Sequence, residues 1–282
     1  MKVRTITALV IIAVVVPLTY LGGWYSVLLM ALFIGGGVYE LMNVRTEKEW
    51  PKYFRVVNYV FAFAMLFWGF IIHFVNTGII EIPPDFLVHI NTVFICMYLA
   101  VLLSFEVTHH TISIMDVFYI FTITLLLVVA GQAFFFIRNT LGILTIIYVL
   151  LVTYSNDTFA LLIGTKWGKH KLAPVISPKK TWEGAIGGAI GAMLIGTLYY
   201  LIFPLFASAL NVFYALLMSF ILAIGAIFGD LIFSSIKRFF QIKYFVEIFP
   251  GHGGILDRVD SLLFNLMVFI SFYALITGGM FI

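Results

Sequence analysis

A chain of 282 residues that is 63% hydrophobic and only 10% charged has too little polar surface to cover itself as a water-soluble globule. Its net charge of +3 is small and its basic residues sit in short loops between apolar runs, which excludes a nucleic-acid-binding arm or stripe. Cys96 is the only cysteine, so intrachain disulfides and a zinc-finger site are excluded, and the residue is expected to fill space in a helix.

In chain order, the first stretch, Met1 to Gly23, begins like a secretory signal, with Lys2 and Arg4 ahead of an apolar run. No small-x-small cleavage site follows, so a retained first helix is expected. A spanning helix needs about 20 mostly apolar residues. That rule predicts nine spans, at about 5–22, 24–43, 57–77, 87–105, 116–137, 140–162, 184–203, 212–233 and 259–280. The expected fold class is an all-α polytopic membrane protein. The aromatic content of 17%, often near segment ends, suits residues that settle at the membrane–water boundary.

Lys and Arg are retained in short cytoplasmic loops. With the N-terminus inside, the N-terminal segment and the even-numbered loops hold every Lys and Arg except Arg138. This segregation predicts a cytoplasmic N-terminus and an outside C-terminus. The chain reads as one integral membrane unit, with residues 1–138 as a scaffold of about five helices and 139–282 carrying a cytoplasm-facing site.

The first half is chemically quiet. Glu40 ends the second span, His73 and His89 are single polar positions near helix ends, and His109-His110 is a loop pair without a third ligand nearby. Each is expected to be structural. The seventh span opens with Gly184, Gly187, Gly188 and Gly191, a small-xxx-small spacing that favours close helix packing in lipid.

In the second half, acids stand inside or at the edge of apolar spans: Asp157, Asp230, Asp257 and Asp260. Such residues cost a few kcal/mol if left without a partner in hydrocarbon, so they usually mark function. The predicted topology places all four near cytoplasmic span ends. Asp257 and Asp260 are three residues apart, on one helix face with Arg258 turned aside. That suits Mg²⁺, which takes one or two carboxylates and completes its shell with water and phosphate oxygens. The competing reading neutralises these charges with Lys237, Arg238 or Arg258.

Two loops add positive charge and flexible backbone. In one, Ser177-Pro178 looks like a helix cap with proline at the first position, and Thr181 is a cap for a later start. Lys179 and Lys180 beside such a start make an anion site suited to phosphate. The other runs Pro250-Gly-His-Gly-Gly-Ile-Leu-Asp-Arg-Val-Asp260, with three glycines around His252 leading into the carboxylates. Lysines, glycines and intramembrane acids on one side describe a metal–phosphate site.

From Ser234 the chain reads Ser-Ser-Ile-Lys-Arg, then Lys243, then Pro250 to Asp260 as above. This resembles the signature of the phosphatidate cytidylyltransferases, the CDP-diacylglycerol synthases. Asp157 to Gly184, with Ile-Ser-Pro-Lys-Lys-Thr-x-Glu-Gly, and Gly229-Asp230 are similar to that family too. The resemblance covers roughly residues 155 to 262, and the N-terminal spans match only in being hydrophobic. Two positions depart from the signature: Tyr244 stands where the family usually has aspartate, and Val246 where it prefers a small residue. Glu247 is one candidate to replace the missing charge.

The resemblance implies transfer of a cytidylyl group from CTP to phosphatidate, with Mg²⁺ and room for a second cation; the size of the chain suggests a bacterial inner membrane. A homodimer is compatible with the resemblance, which further implies metal-binding Asp230, Asp257 and Asp260, with Lys237 and Arg238 in the catalytic set. Substrate contacts would come from Asp157, Ser177, Lys179, Lys180, Thr181, Glu183, Ser234, Lys243, His252, Gly253, Gly254 and Arg258. Asp257→Asn is expected to abolish turnover and leave the fold intact. The alternatives are an ion-coupled secondary transporter, which usually places its acids at mid-membrane and shows repeat symmetry, and another lipid-phosphate transferase. The CDP-alcohol phosphotransferase motif Asp-Gly-x-x-Ala-Arg is absent.

Overall fold

The computed structural model describes residues 2–44, 50–76, 84–108, 111–203, 205, 212–246 and 253–278. Arg45, Lys48, His109, His110, Glu247 and the Pro250-Gly251-His252 stretch lie outside the described residues, as do the side chains of Lys2, Arg4 and His89. Nine α-helices form among the described residues, and eight are long and apolar enough to cross a bilayer. The ninth, α1 (Lys2–Leu21), contributes the shorter apolar stretch Thr7–Leu21. The chain is thus an all-α polytopic membrane protein with one small hairpin. It divides into two compact units: Met1–Phe135 with Val246–Ile255, and Phe136–Phe245 with Leu256–Gly279.

The first unit contains α1, α2 (Trp24–Asn43), α3 (Lys52–Asn76), α4 (Pro84–Thr108) and α5 (Ile114–Phe136). Gly22 and Gly23 join α1 to α2 at φ 67° and 53°, a left-handed backbone that glycine adopts without steric cost. A reciprocal capping box opens α5: the Ser113 N–H donates to Asp116 Oδ2 (2.9 Å) and the Asp116 N–H to Ser113 Oγ (3.3 Å). Phe70 gathers Trp24, Phe74 and Phe135 at ring-centroid distances of 4.2, 4.7 and 5.2 Å. His73 lies edge-on to Phe135 at 5.2 Å, an aromatic packing contact in line with its expected structural role. Buried Asn58 accepts from the Tyr98 and Thr124 hydroxyls, which satisfies a polar side chain that hydrocarbon would otherwise penalise.

The second unit contains a π-helical turn (Ile137–Leu141), α6 (Ile143–Trp167), α7 (Trp182–Ile202), α8 (Val212–Phe239) and α9 (Leu256–Thr277). The expected glycine seam is the α6–α7 interface. A Cβ at Gly184 would lie 2.7 Å from the Ala160 carbonyl oxygen, and one at Gly188 2.8 Å from that of Asn156. The opposite face of α7 exposes Ile186, Ile190, Leu194 and Leu198, spaced four apart as a lipid-facing stripe requires. Gly188→Val should therefore lower stability by about 1–3 kcal/mol, while Ile190→Val on the outer face should change it by under about 0.5 kcal/mol. Denaturant unfolding of the two variants in detergent measures the difference.

One expectation is corrected. Ser177-Pro178 does not start a helix: β2 (Ser177–Thr181) pairs antiparallel with β1 (Lys171–Ala173), with Ala173 opposite Ser177 and Lys171 opposite Thr181. The Trp182 N–H extends this pairing to the His170 carbonyl (2.9 Å). Pro178, which has no N–H, is tolerated in a two-stranded edge. The helix begins only at Trp182, capped by Thr181, whose Oγ1 accepts from the Gly184 N–H at 3.2 Å.

The end of α8 is a Schellman closure, with Ile242 N–H donating to Lys237 O (2.9 Å) and Gln241 N–H to Arg238 O (3.0 Å). Gln241 takes the left-handed position at φ 56°. Gln241→Gly should stabilise the protein by about 0.5–1 kcal/mol by removing the Cβ penalty, read as a raised unfolding midpoint.

Candidate active site

The second unit brings together acids from three helices. Asp260 on α9 feels the charges of Asp230 on α8 and Asp157 on α6, Asp157 feels that of Asp230, and Tyr154, one turn before Asp157, feels both Asp157 and Asp260. Like charges this close repel, so the cluster demands cations. Lys180 supplies one: Nζ lies 2.7 Å from Asp230 Oδ2 and donates to the Ile227 carbonyl at 3.4 Å. Ser234, one turn after Asp230, donates to its Oδ1 at 3.1 Å. Asp260 Oδ1 accepts from the Ser261 N–H at 2.7 Å.

Asp257 sits in a drier environment. Its Oδ1 pairs with Lys237 Nζ at 2.7 Å, with the two side chains only 5% and 12% exposed. Its Oδ2 accepts the Phe245 backbone N–H at 3.0 Å, and Phe245 is itself buried with its ring against Phe233. This arrangement bears on Tyr244. The Tyr244 side chain points outward, 57% exposed, with Lys243 Nζ 5.3 Å from its ring centroid. What this segment gives Asp257 is therefore a backbone amide, which does not depend on the side chain at 244.

Arg238 donates from Nε to the Ile176 carbonyl (3.3 Å) and from Nη1 to that of Ile242 (3.2 Å), tying the hairpin tip to the turn after α8. Glu183 accepts the backbone N–H groups of Lys169 (3.1 Å) and His170 (3.2 Å) and contacts His170 Nδ1 at 2.6 Å, which clamps the turn between α6 and β1. Thr181 is consumed as the α7 cap. Ser177 lies half-buried in β2, while Lys179, Lys243 and Arg258 are exposed. An apolar groove of about 330 Å³ runs along α6, lined by Leu150, Leu151, Phe159 and Ile195, with Tyr154 among its walls.

Of the remaining sequence candidates, His252 is outside the described residues, and Gly253 and Gly254 belong to the first unit. There the Ile255 N–H donates to the Glu40 carboxylate, and Glu40 is fully buried. The sequence reading took Glu40 as structural without linking it to this loop, because nothing local separates a helix-end acid facing headgroups from one buried against a distant loop. It passed over Tyr154, an aromatic in an apolar run.

Carboxylate oxygens are the donors a hard cation takes, and Mg²⁺ uses one or two of them with water and phosphate oxygens. The donor set on α8 and α9 fits that ion. Among the described residues no group of three or more His, Cys, Asp or Glu is placed to hold a metal by itself.

A family model described as the cytidylyltransferase family matches residues 2–276. A phosphatidate cytidylyltransferase of Staphylococcus haemolyticus is 34% identical over 272 residues, covering 94% of this chain and 96% of the relative. Proteins of the same name from Staphylococcus saprophyticus and Staphylococcus aureus are 33% and 32% identical with the same coverage. With residues 2–276 matched, the chain belongs to the cytidylyltransferase family.

Proposed function

We infer that this chain transfers a cytidylyl group from CTP to phosphatidate in a bacterial cell membrane, giving CDP-diacylglycerol and pyrophosphate. The observation that carries this reading is the second unit's cluster of Asp157, Asp230 and Asp260 with Lys180 and Lys237, built from the residues the family signature resembles. A phosphate oxygen of phosphatidate attacks the α-phosphorus of CTP, an O–P bond forms, and the bond to the β-phosphate oxygen breaks with departure of pyrophosphate. The attacking phosphate is already largely ionised near neutral pH, its second pKa being near 6, so no strong base is needed. The protein's task is to position the two anions and neutralise their charge.

In this reading one or two carboxylates among Asp230, Asp257 and Asp260 would hold Mg²⁺ together with phosphate oxygens of CTP, and Asp157 adds negative field beside them. The ion would supply charge neutralisation to the CTP phosphates. Lys179, Lys180, Lys237 and Arg238 bring positive charge to the phosphates of both substrates. The groove beside Tyr154 suits one acyl chain of phosphatidate, because it adjoins the charged cluster and its lining is mostly aliphatic and aromatic, with Ser155 and Thr158 as its other polar members. The site opens to the cytoplasm, since all Lys and Arg but Arg138 fall on that side of the predicted topology and CTP is a soluble substrate.

The test is an assay of detergent-purified protein with phosphatidate, Mg²⁺ and labelled CTP. CDP-diacylglycerol and pyrophosphate in equal amounts are the expected outcome. Absence of both from a folded protein would overturn the reading.

A further inference from the structure

Glu40 is a fully buried carboxylate on a membrane helix that the reaction above does not use. Burying an ionisable group is costly unless it is compensated, and an apolar residue would serve helix packing better. Its compensation comes from the glycine segment of the signature. The Ile255 N–H donates to Glu40 Oε1. The Gly254 backbone approaches so closely that a Cβ there would lie 2.6 Å from Glu40 Cδ and 2.7 Å from Oε1. One turn earlier on α2, Gly36 makes room for the Ile255 side chain: a Cβ at Gly36 would overlap Ile255 Cδ1. Gly253 adopts φ 77°, which favours glycine. Gly36 and Glu40 thus form a receptor for residues 253–255, and that segment runs straight into α9 at Leu256, whose first two turns carry Asp257, Arg258 and Asp260.

We propose that Glu40 is a positioning residue for this reaction: by holding the 253–255 backbone it sets the start of α9 and so the placement of the carboxylates that act on the nucleotide. The proposal rests on the functional reading above. Glu40 touches no substrate in it and acts through the loop.

The experiment compares full-length wild type, Glu40→Ala and Glu40→Gln in detergent, measuring kcat, KM for CTP, KM for phosphatidate and thermal unfolding. Glu40→Ala is expected to lower kcat/KM for CTP by about tenfold to a hundredfold, the usual cost of losing a group that orients a binding shell, and to leave KM for phosphatidate within about twofold. Glu40→Gln should recover to within about threefold of wild type, because its side-chain carbonyl has the same reach and still accepts the Ile255 N–H.

Gly254→Ala probes the same contact from the loop side. It should show the same CTP-selective loss, and Glu40→Asp in that background, which withdraws the carboxylate by one methylene, should restore part of it. These variants decide the question if Glu40→Ala does not fold. Wild-type kinetics in Glu40→Ala would overturn the proposal. So would equal loss in the Ala and Gln variants, equal loss for both substrates, or no recovery in the double variant. Absence of product from wild type would instead remove the functional reading, so the two failures are distinguishable.

Discussion

Asp257→Asn is expected to lower turnover by at least about a hundredfold to a thousandfold, the usual cost of deleting one group that stabilises developing charge in a water-poor site. The structure adds a consequence that sequence reading did not foresee, since the substitution was expected to leave the fold intact. Asp257 and Lys237 are 5% and 12% exposed and meet at 2.7 Å. Neutralising one partner leaves the other ammonium buried without its counter-charge, which costs about 3–5 kcal/mol when a buried pair is broken. Asparagine retains an oxygen for the Phe245 N–H, so the loss comes from the ion pair rather than from this hydrogen bond. The variant should therefore be inactive and also less stable.

The double variant Lys237→Met, Asp257→Asn separates the two effects. Removing both charges should recover most of the stability in a denaturant titration and none of the activity. A double variant as unstable as the single would show that the pair is not the source of the stability loss. Wild-type rates in Asp257→Asn would remove this carboxylate from the reaction.

Asp230→Asn makes the sharpest contrast. Its ion pair with Lys180 has the same 2.7 Å length, but the side chains are 33% and 24% exposed. A pair this open to solvent is worth only about 0–1 kcal/mol. Removing the Asp230 charge also relieves repulsion felt by Asp157 and Asp260. The two terms oppose each other, so unfolding should shift little. Turnover should nevertheless fall by about a hundredfold or more, because Asp230 is the acid whose charge both Asp157 and Asp260 feel. Parallel activity and unfolding measurements check this, and a large stability loss with modest activity loss would assign Asp230 to the fold.

The spans were legible because membrane crossing is a local requirement: about 20 apolar residues in a row suffice to declare a helix. The second span, predicted at 24–43, is observed at Trp24–Asn43. The errors lie where helices outrun their apolar stretch. The eighth span was expected to stop at 233, but α8 continues through Ser234 and Arg238 to Phe239, since a helix needs apolar side chains only inside hydrocarbon. The α6–α7 seam was readable from glycine spacing, and the Thr181 cap was one of two starts the sequence allowed. The signature residues resembled a family across the C-terminal half. The family match extends over residues 2–276, because a single chain reveals of its N-terminal spans only that they are apolar.

Partnership was legible only as a choice: Lys237 was one of three cations weighed against these acids, and which acid it meets was not written in the sequence. Lys180 meets Asp230, Lys237 meets Asp257, Asp157 joins Asp230 and Asp260, and Glu40 reaches a loop 215 residues away. Helices that are apolar nearly all round carry no periodic mark of which face meets which neighbour. By itself the sequence determined what must cross the membrane and which residue types are available for chemistry. Only the tertiary structure decided which charge answers which, because that depends on depth and facing across helices far apart in the chain, where a carboxylate's cost in hydrocarbon is met by whichever donor the packing brings to it.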